Sequence, residues 1–249
     1  MRQGLILLVT LITVGVNILA NALPLNGQGT GEISDRFAIV FVPAGYVFSI
    51  WGLIYLGLLA FAIYQAMPQQ KDNALIERIF PAYLTANLAN SVWVFLWHYE
   101  AFLLTLLAMV ILLVSLLAIY LTLTRAGQAQ SRNERWLVRA PFSLYLGWIS
   151  VATIANISQV LFFVEWGGWG IAPETWAAIM LVIATLLGLT MLWRERDWLY
   201  TSVLVWAFIG IAVKQAAIPL AANSAWVLAA LLGVAIFVLP KLTRRSRTT

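Results

Sequence analysis

The sequence contains no cysteine and a single histidine, which excludes several kinds of chemistry. Disulfide bonds, thiolate metal sites and a cysteine nucleophile need sulfur that the chain lacks, and one imidazole cannot build a histidine metal cluster. Charge is also scarce, because 10% of the 249 residues are charged, against about 25% in ordinary globular domains. A water-soluble fold is excluded, since so few charged groups cannot cover a folded surface.

Long apolar runs dominate the chain. Of all residues, 62% are hydrophobic, and the mean hydropathy is +0.89. A membrane-spanning helix needs about 20 apolar residues. Charged residues divide the chain into eight such stretches, at 3–23, 44–66, 79–97, 101–124, 140–164, 173–193, 198–218 and 221–239. We therefore predict an all-α fold, a polytopic membrane bundle of eight spans, because the apolar runs are continuous and lack the alternation of barrel strands.

The positions of the fifteen basic residues test this division. Cytoplasmic loops are enriched in Lys and Arg, and a cytoplasmic N-terminus places all of them on that side except Arg36 and Lys214. Both termini are therefore expected in the cytoplasm. The basic tail at 241–249 is expected to face anionic lipid headgroups, not nucleic acid. Lys214 has two open interpretations, a functional cation inside its span or a side chain that snorkels to the interface.

The N-terminal region raises two further questions. Arg2, the apolar run at 5–19 and the small residues at 20–22 also resemble a cleavable signal peptide, although the eight-span charge pattern favours retention. The segment at 24–43 forms the one extended loop predicted on the non-cytoplasmic side. Its apolar end, at 37–42, favours packing over disorder, as expected of a lid.

Twelve tryptophans are distributed along the spans. Most lie near span ends, where amphipathic rings occupy the headgroup region. Four lie several residues inside their spans: Trp51, Trp93, Trp148 and Trp206. A ring at such a depth either packs against neighbouring helices or lines a pocket, and the sequence leaves both interpretations open.

Polar residues inside the third and fifth spans sharpen this choice. One face of the third span carries Asn87, Asn90 and Ser91. One stripe of the fifth span carries Tyr145, Trp148, Ala152 and Asn156. Amides in hydrocarbon cost free energy unless they are hydrogen-bonded. They therefore either form structural hydrogen bonds between helices or line a ligand pocket together with the rings.

These residues resemble motifs of the tryptophan-rich sensory protein family, which includes the translocator protein. Residues 43–48 read Pro-Ala-Gly-Tyr-Val-Phe and are followed by Trp51 and Tyr55; the family has Pro-Pro-x-Trp-Val-Phe, then Trp and Tyr at that spacing. Two further matched segments follow in the family's order, Asn87, Ser91 and Phe95 in the third span and Tyr145, Trp148, Ala152 and Asn156 in the fifth. The chain departs from the family at Ala44, Tyr46 and Asn90, and the proline that usually comes just before the tyrosine of the fifth span is displaced to Pro141.

The resemblance implies a translocator-like five-helix bundle over 1–165, to which 166–240 add a three-helix extension without counterpart in the family core. It implies binding of a porphyrin, a heme or a sterol-like apolar molecule, for sensing, regulation or transport. No metal and no cofactor beyond such a ligand are expected, and helix-mediated homodimers are implied. The implied ligand-binding residues are Tyr46, Trp51, Tyr55, Asn87, Asn90, Ser91, Phe95, Tyr145, Trp148, Ala152 and Asn156.

Two other functions remain open. Some family members are reported to degrade protoporphyrin in light, so a light-dependent membrane enzyme is one alternative. No catalytic residue is predicted, because the one neighbouring titratable pair beside a span, His98 and Glu100, lies at a turn and suits a structural role at the interface. The other alternative is a secondary transporter, although the sequence shows no convincing inverted repeat.

Overall fold

The computed structural model of the chain describes residues 1–23 and 25–245. Pro24, where the predicted loop begins, and the end of the basic tail at 246–249 lie outside the described residues. The eight long helices are α1 Arg2–Ala22, α2 Ile50–Ala66, α3 Ala74–His98, α4 Phe102–Arg125, α5 Ala140–Phe163, α6 Pro173–Arg194, α7 Trp198–Lys214 and α8 Pro219–Arg245. No strand occurs in this described part, which confirms the all-α prediction.

Seven segments are long and apolar enough to cross a membrane, and one of them is α2 taken together with the 3₁₀ stretch before it, as Gly45–Ala66. The remaining long helix, α7, has 17 residues, or about 25 Å at the usual rise per residue. Each helix coincides with one predicted stretch, so the chain is a polytopic helical membrane protein. The prediction was wrong about the end of α7, which stops at Lys214 and not at Ile218. Lys214 is thus a helix-end residue, and half-buried, which favours snorkelling over an intramembrane charge.

Short elements join the long helices. The segment between α1 and α2 contains a 3₁₀ turn, Leu25–Gly27, and a short helix, Thr30–Asp35. A second 3₁₀ stretch, Gly45–Ser49, leads into α2 where an α-helix was predicted from Ala44. A wider π turn, Arg135–Arg139, precedes α5.

The chain folds as two compact units. The first unit comprises Met1–Phe37 and Ile50–Ile149, and the second comprises Ala38–Ser49 and Ser150–Thr249. The helix α5 is shared, because the division falls between Ile149 and Ser150. The boundary predicted after residue 165 follows the sequence motifs and stays a prediction.

In the first unit, α1 packs against α2 and α3, and α3 packs against α4. Three fully buried rings, Phe61, Tyr83 and Phe142, lie with their centroids 5.1–5.8 Å apart. The hydroxyls of Tyr83 and Thr10 are hydrogen-bonded at 2.6 Å. This bond satisfies two buried polar groups and ties α1 to α3, as expected where hydrocarbon supplies no other partner.

In the second unit, α6, α7 and α8 pack against one another. The 3₁₀ stretch before α2 packs on α7, where the Ala44 amide donates to the Gly210 carbonyl at 3.0 Å. The Trp206 indole donates to the Val47 carbonyl at 3.1 Å. These two bonds fasten the 3₁₀ stretch before α2 to α7 within the second unit.

Candidate functional site

Four aromatic side chains from α2 and α5 meet in the first unit. Trp51 is stacked on Tyr55, with centroids 5.4 Å apart. The same indole lies edge-on to Tyr145 at 5.8 Å and to Trp148 at 6.1 Å. One turn of helix separates the two residues on α2 and three positions separate the two on α5, so each pair shares a face. We call Trp51, Tyr55, Tyr145 and Trp148 the aromatic cluster.

The aromatic cluster has a buried side and a more accessible side. Tyr145 and Trp148 are 1% and 2% exposed, whereas Trp51 and Tyr55 are half-buried. Indole and phenol rings offer large flat faces for stacking, and their polar atoms can orient a ligand. The accessible faces therefore belong to α2, with the rings of α5 behind them.

The polar atom of interest in the aromatic cluster is the Tyr145 hydroxyl. The buried Tyr145 hydroxyl lies beside the Asn90 side chain but meets hydrogen-bond geometry with no group among the described residues. Leaving a buried hydroxyl unpaired costs about 1–3 kcal/mol. A carbonyl or carboxylate oxygen that accepted this hydrogen bond would recover that free energy, which makes Tyr145 the polar position of the candidate site.

The polar residues predicted on the third span face α1. The Asn17 amide donates to the Asn90 side-chain oxygen at 2.7 Å. The Thr13 hydroxyl lies 3.4 Å from that of Ser91. Structural hydrogen bonds between helices therefore account for Asn90 and Ser91. The side-chain oxygen of Asn87 is buried and has no hydrogen-bond partner within the described chain, so a ligand interaction stays open for it.

Of the other four predicted residues, one belongs to the first unit and three belong to the second. Phe95 is 45% exposed on the surface of α3. In the second unit, Tyr46 packs edge-on against Trp206, with centroids 5.5 Å apart. Ala152 and Asn156 belong to that unit too, where Asn156 is buried and Ala152 half-buried.

Sequence reasoning missed two groups of polar residues. Thr13 and Asn17 of α1 form the hydrogen bonds to α3, and their spacing of four was the available signal. Gln159 of α5 is buried, and neither atom of its carboxamide has a hydrogen-bond partner in the part of the chain that the structure describes. It follows Asn156 by three positions and therefore extends the predicted stripe.

The segment at 25–37, predicted as a lid, is fastened to the turn between α3 and α4. The Trp97 indole donates to the Thr30 carbonyl at 3.2 Å, and Phe37 lies edge-on to Phe102 at 5.2 Å. His98 is fully buried under this segment; one ring nitrogen lies 2.8 Å from the Val94 carbonyl and the other 3.3 Å from the Thr30 hydroxyl. These contacts agree with the structural role predicted for His98, and its depth relative to the membrane stays a prediction.

Glu100 completes this attachment on the solvent side. Its carboxylate accepts hydrogen bonds from Gln28 at 3.2 Å and from Arg36 at 2.9 Å. These two bonds lower the pKa of Glu100 below its ordinary value. A lowered pKa means that the attachment is complete above the ordinary pKa of a glutamate and is lost as the pH falls through the lowered value. Because both charged side chains are about two-fifths exposed, the ion pair contributes only about 0–1 kcal/mol.

Glu100→Gln is therefore expected to loosen the segment at 25–37 without unfolding the protein. Exchange of the backbone amide hydrogens in this segment should become severalfold faster at pH 7, because the neutral side chain of glutamine cannot form an ion pair with Arg36. The wild type should lose the same protection at acidic pH, when exchange is expressed relative to the intrinsic rate at each pH. Glu165→Gln, a change of an exposed carboxylate in another loop, serves as the control. Unchanged exchange in Glu100→Gln would show that the ion pair does not hold the segment.

Comparison with known families gives one match. The family model described as TSPO-like protein matches residues 3–238. The match extends across all eight helices, whereas the motifs described above cover only 1–165. No curated protein and no solved structure matches the chain.

Proposed function

The chain belongs to the TSPO-like protein family, and on that premise we propose that it binds a flat apolar ligand at the aromatic cluster. The ligand class is a porphyrin, a heme or a sterol-like molecule, taken up from the membrane for sensing, regulation or transport. Trp51 and Tyr55 stack on the ligand, Tyr145 donates a hydrogen bond to an oxygen at its edge, and Trp148 supports the Trp51 ring from behind.

One observation carries this proposal: the Trp51 ring contacts the rings of Tyr55, Tyr145 and Trp148, and the buried Tyr145 hydroxyl has no partner in the described chain. Pockets for small molecules are mostly apolar and contain a few placed polar groups, and the aromatic cluster has this composition. Asn87 is the second polar candidate, because its side-chain oxygen is also buried and unpaired among described residues. Asn90 belongs to the proposed site because its side chain lies between Asn17 and Tyr145.

Titration of the purified protein with protoporphyrin, followed at the Soret band, tests the proposal. The protein is placed in lipid nanodiscs, and empty nanodiscs give the contribution of partitioning into lipid. Saturable binding in the dark without loss of the band on illumination supports a receptor. Protein-dependent bleaching in light supports the porphyrin-degrading enzyme. Absence of saturable binding contradicts the proposal and leaves the secondary transporter as the alternative.

We also propose that both termini face the cytoplasm, as the distribution of basic residues indicates. The absence of cysteine allows a clean test, because each introduced thiol is the only one in the chain. Gln128→Cys lies between α4 and α5 and Ala172→Cys between α5 and α6, both at exposed positions. A membrane-impermeant maleimide added to intact cells should label Ala172→Cys but not Gln128→Cys. The opposite pattern would reverse the orientation.

A further inference from the structure

A separate cavity of about 460 Å³ lies within the second unit. Its walls are the C-terminal half of α5, the first two turns of α6, the loop between these helices, and the segment at 38–41. None of the eleven residues predicted to bind ligand lines it. The cavity therefore needs an explanation of its own.

The side chains that line this cavity carry no charge and few polar groups. Its one hydroxyl, that of Ser158, donates to the Ile154 carbonyl of the same helix at 2.8 Å. The Trp176 indole donates to the Gly168 carbonyl at 3.0 Å. All other lining side chains are hydrocarbon, apart from the thioether of Met180 and the indole of Trp166. A carboxylate, a phosphate or an ammonium group placed inside would lose its hydration without compensation, so the occupant is neutral and apolar.

The cavity lies where two membrane spans end. On α5 the lining runs from Ile154 to Phe162, about 12 Å along the helix axis. The helix α5 ends at Phe163, and α6 begins at Pro173. The cavity thus extends from the end of the spans into the depth of the hydrocarbon.

Three tryptophans mark the outer end of the cavity. Trp166, Trp169 and Trp176 contact one another, with ring centroids 5.4–5.9 Å apart. Two of them line the cavity, and Trp169 is 80% exposed. Tryptophans clustered at a span end lie at the depth of the lipid headgroups, where a ring can contact both hydrocarbon and polar groups. An occupant with one polar end would therefore place that end among these rings.

We propose that this cavity binds the aliphatic chain of a neutral single-chain amphiphile from the bilayer, such as a long-chain alcohol. The chain lies along α5 toward Ile154, and the hydroxyl lies at the three tryptophans. The flexible Met180 side chain adapts the wall to different chain lengths. This ligand class differs from the flat molecule proposed for the aromatic cluster, so the two sites are tested independently.

Photolabelling tests the proposal directly. The probe is a long-chain alcohol with a diazirine on its chain, applied to the whole protein in nanodiscs and mapped by mass spectrometry. Labels are expected on the stretches at 154–162 and 171–180. An excess of the unmodified alcohol should remove them. Labels spread evenly over the lipid-exposed helices, or labels that the alcohol does not displace, would overturn the proposal.

Two substitutions reduce the cavity in different ways. Ala177→Phe fills it from α6, where the alanine is buried. Ala38→Trp covers it from an exposed position of the lining segment and strains the fold less. Each is expected to lower labelling about tenfold, whereas Ala230→Phe, at an exposed position of α8, leaves it unchanged. If Ala177→Phe fails to fold, Ala38→Trp decides, and full labelling of that variant contradicts the proposal.

Discussion

Replacing Trp148 by alanine is expected to weaken protoporphyrin binding about tenfold or more, equivalent to about 1.4 kcal/mol. The indole of Trp148 lies edge-on to Trp51 at 6.1 Å and holds that ring from behind. Without it, Trp51 loses its support, and the flat face that the ligand needs is no longer fixed. The dissociation constant is read from the Soret titration in nanodiscs, in the dark.

A second variant separates binding from stability. Trp148 is almost fully buried, and truncating a buried tryptophan costs about 3–5 kcal/mol of folding free energy. Ala152→Phe leaves the aromatic cluster intact and adds a ring one helical turn after Trp148 on α5, and we expect it to lower the affinity similarly. Trp193→Ala, at a ring exposed at the end of α6, is the matched control. Equal dissociation constants for the wild type and both variants would show that Trp148 is not part of the binding site.

Gly210→Ala is expected to destabilise the second unit by about 1–3 kcal/mol, the usual cost of overpacking. A methyl group at this position would overlap the Val47 side chain and lie 3.0 Å from the β-carbon of Pro43. The segment cannot simply move away, because the Ala44 amide is bonded to the Gly210 carbonyl and the Val47 carbonyl to Trp206. Thermal unfolding in detergent, monitored by tryptophan fluorescence, should show a lower midpoint.

The control for this change is Gly233→Ala in α8. A methyl group there meets no atom within 4 Å, and alanine favours a helix over glycine by about 1 kcal/mol. The control should therefore unfold at the wild-type temperature or above it. A Gly210→Ala protein as stable as the Gly233→Ala protein would show that the contact between the 43–47 segment and α7 is loose.

The sequence predicted the eight helices because a span needs little more than a long apolar run. It did not predict where α2 begins or where α7 ends. Both positions involve contacts between residues that are distant in sequence. The residues before α2 form a 3₁₀ stretch that is bonded to α7 through the Ala44 amide and the Gly210 carbonyl. The end of α7 is set where the Gln215 side chain donates to the Val40 carbonyl at 3.0 Å. No local pattern contains this information.

The same limit applies to the candidate site. Helical spacing placed Tyr145 and Trp148 on one stripe of α5, and both rings contact Trp51. Spacing does not say which helix a face contacts, so Asn90 and Ser91 could not be assigned to α1 in advance. Tyr46 lies in a 3₁₀ stretch, where each residue turns by about 120° instead of 100°. Its side chain is therefore rotated away from the direction that an α-helix would give, and it contacts Trp206.

A crystal structure of the protein with protoporphyrin bound tests the central claim most directly. We expect the macrocycle to lie within about 4 Å of the rings of Trp51 and Tyr55. An oxygen of the ligand should accept a hydrogen bond from the Tyr145 hydroxyl. A macrocycle bound elsewhere, with the contacts among these rings and the unpaired Tyr145 hydroxyl unchanged, would contradict it.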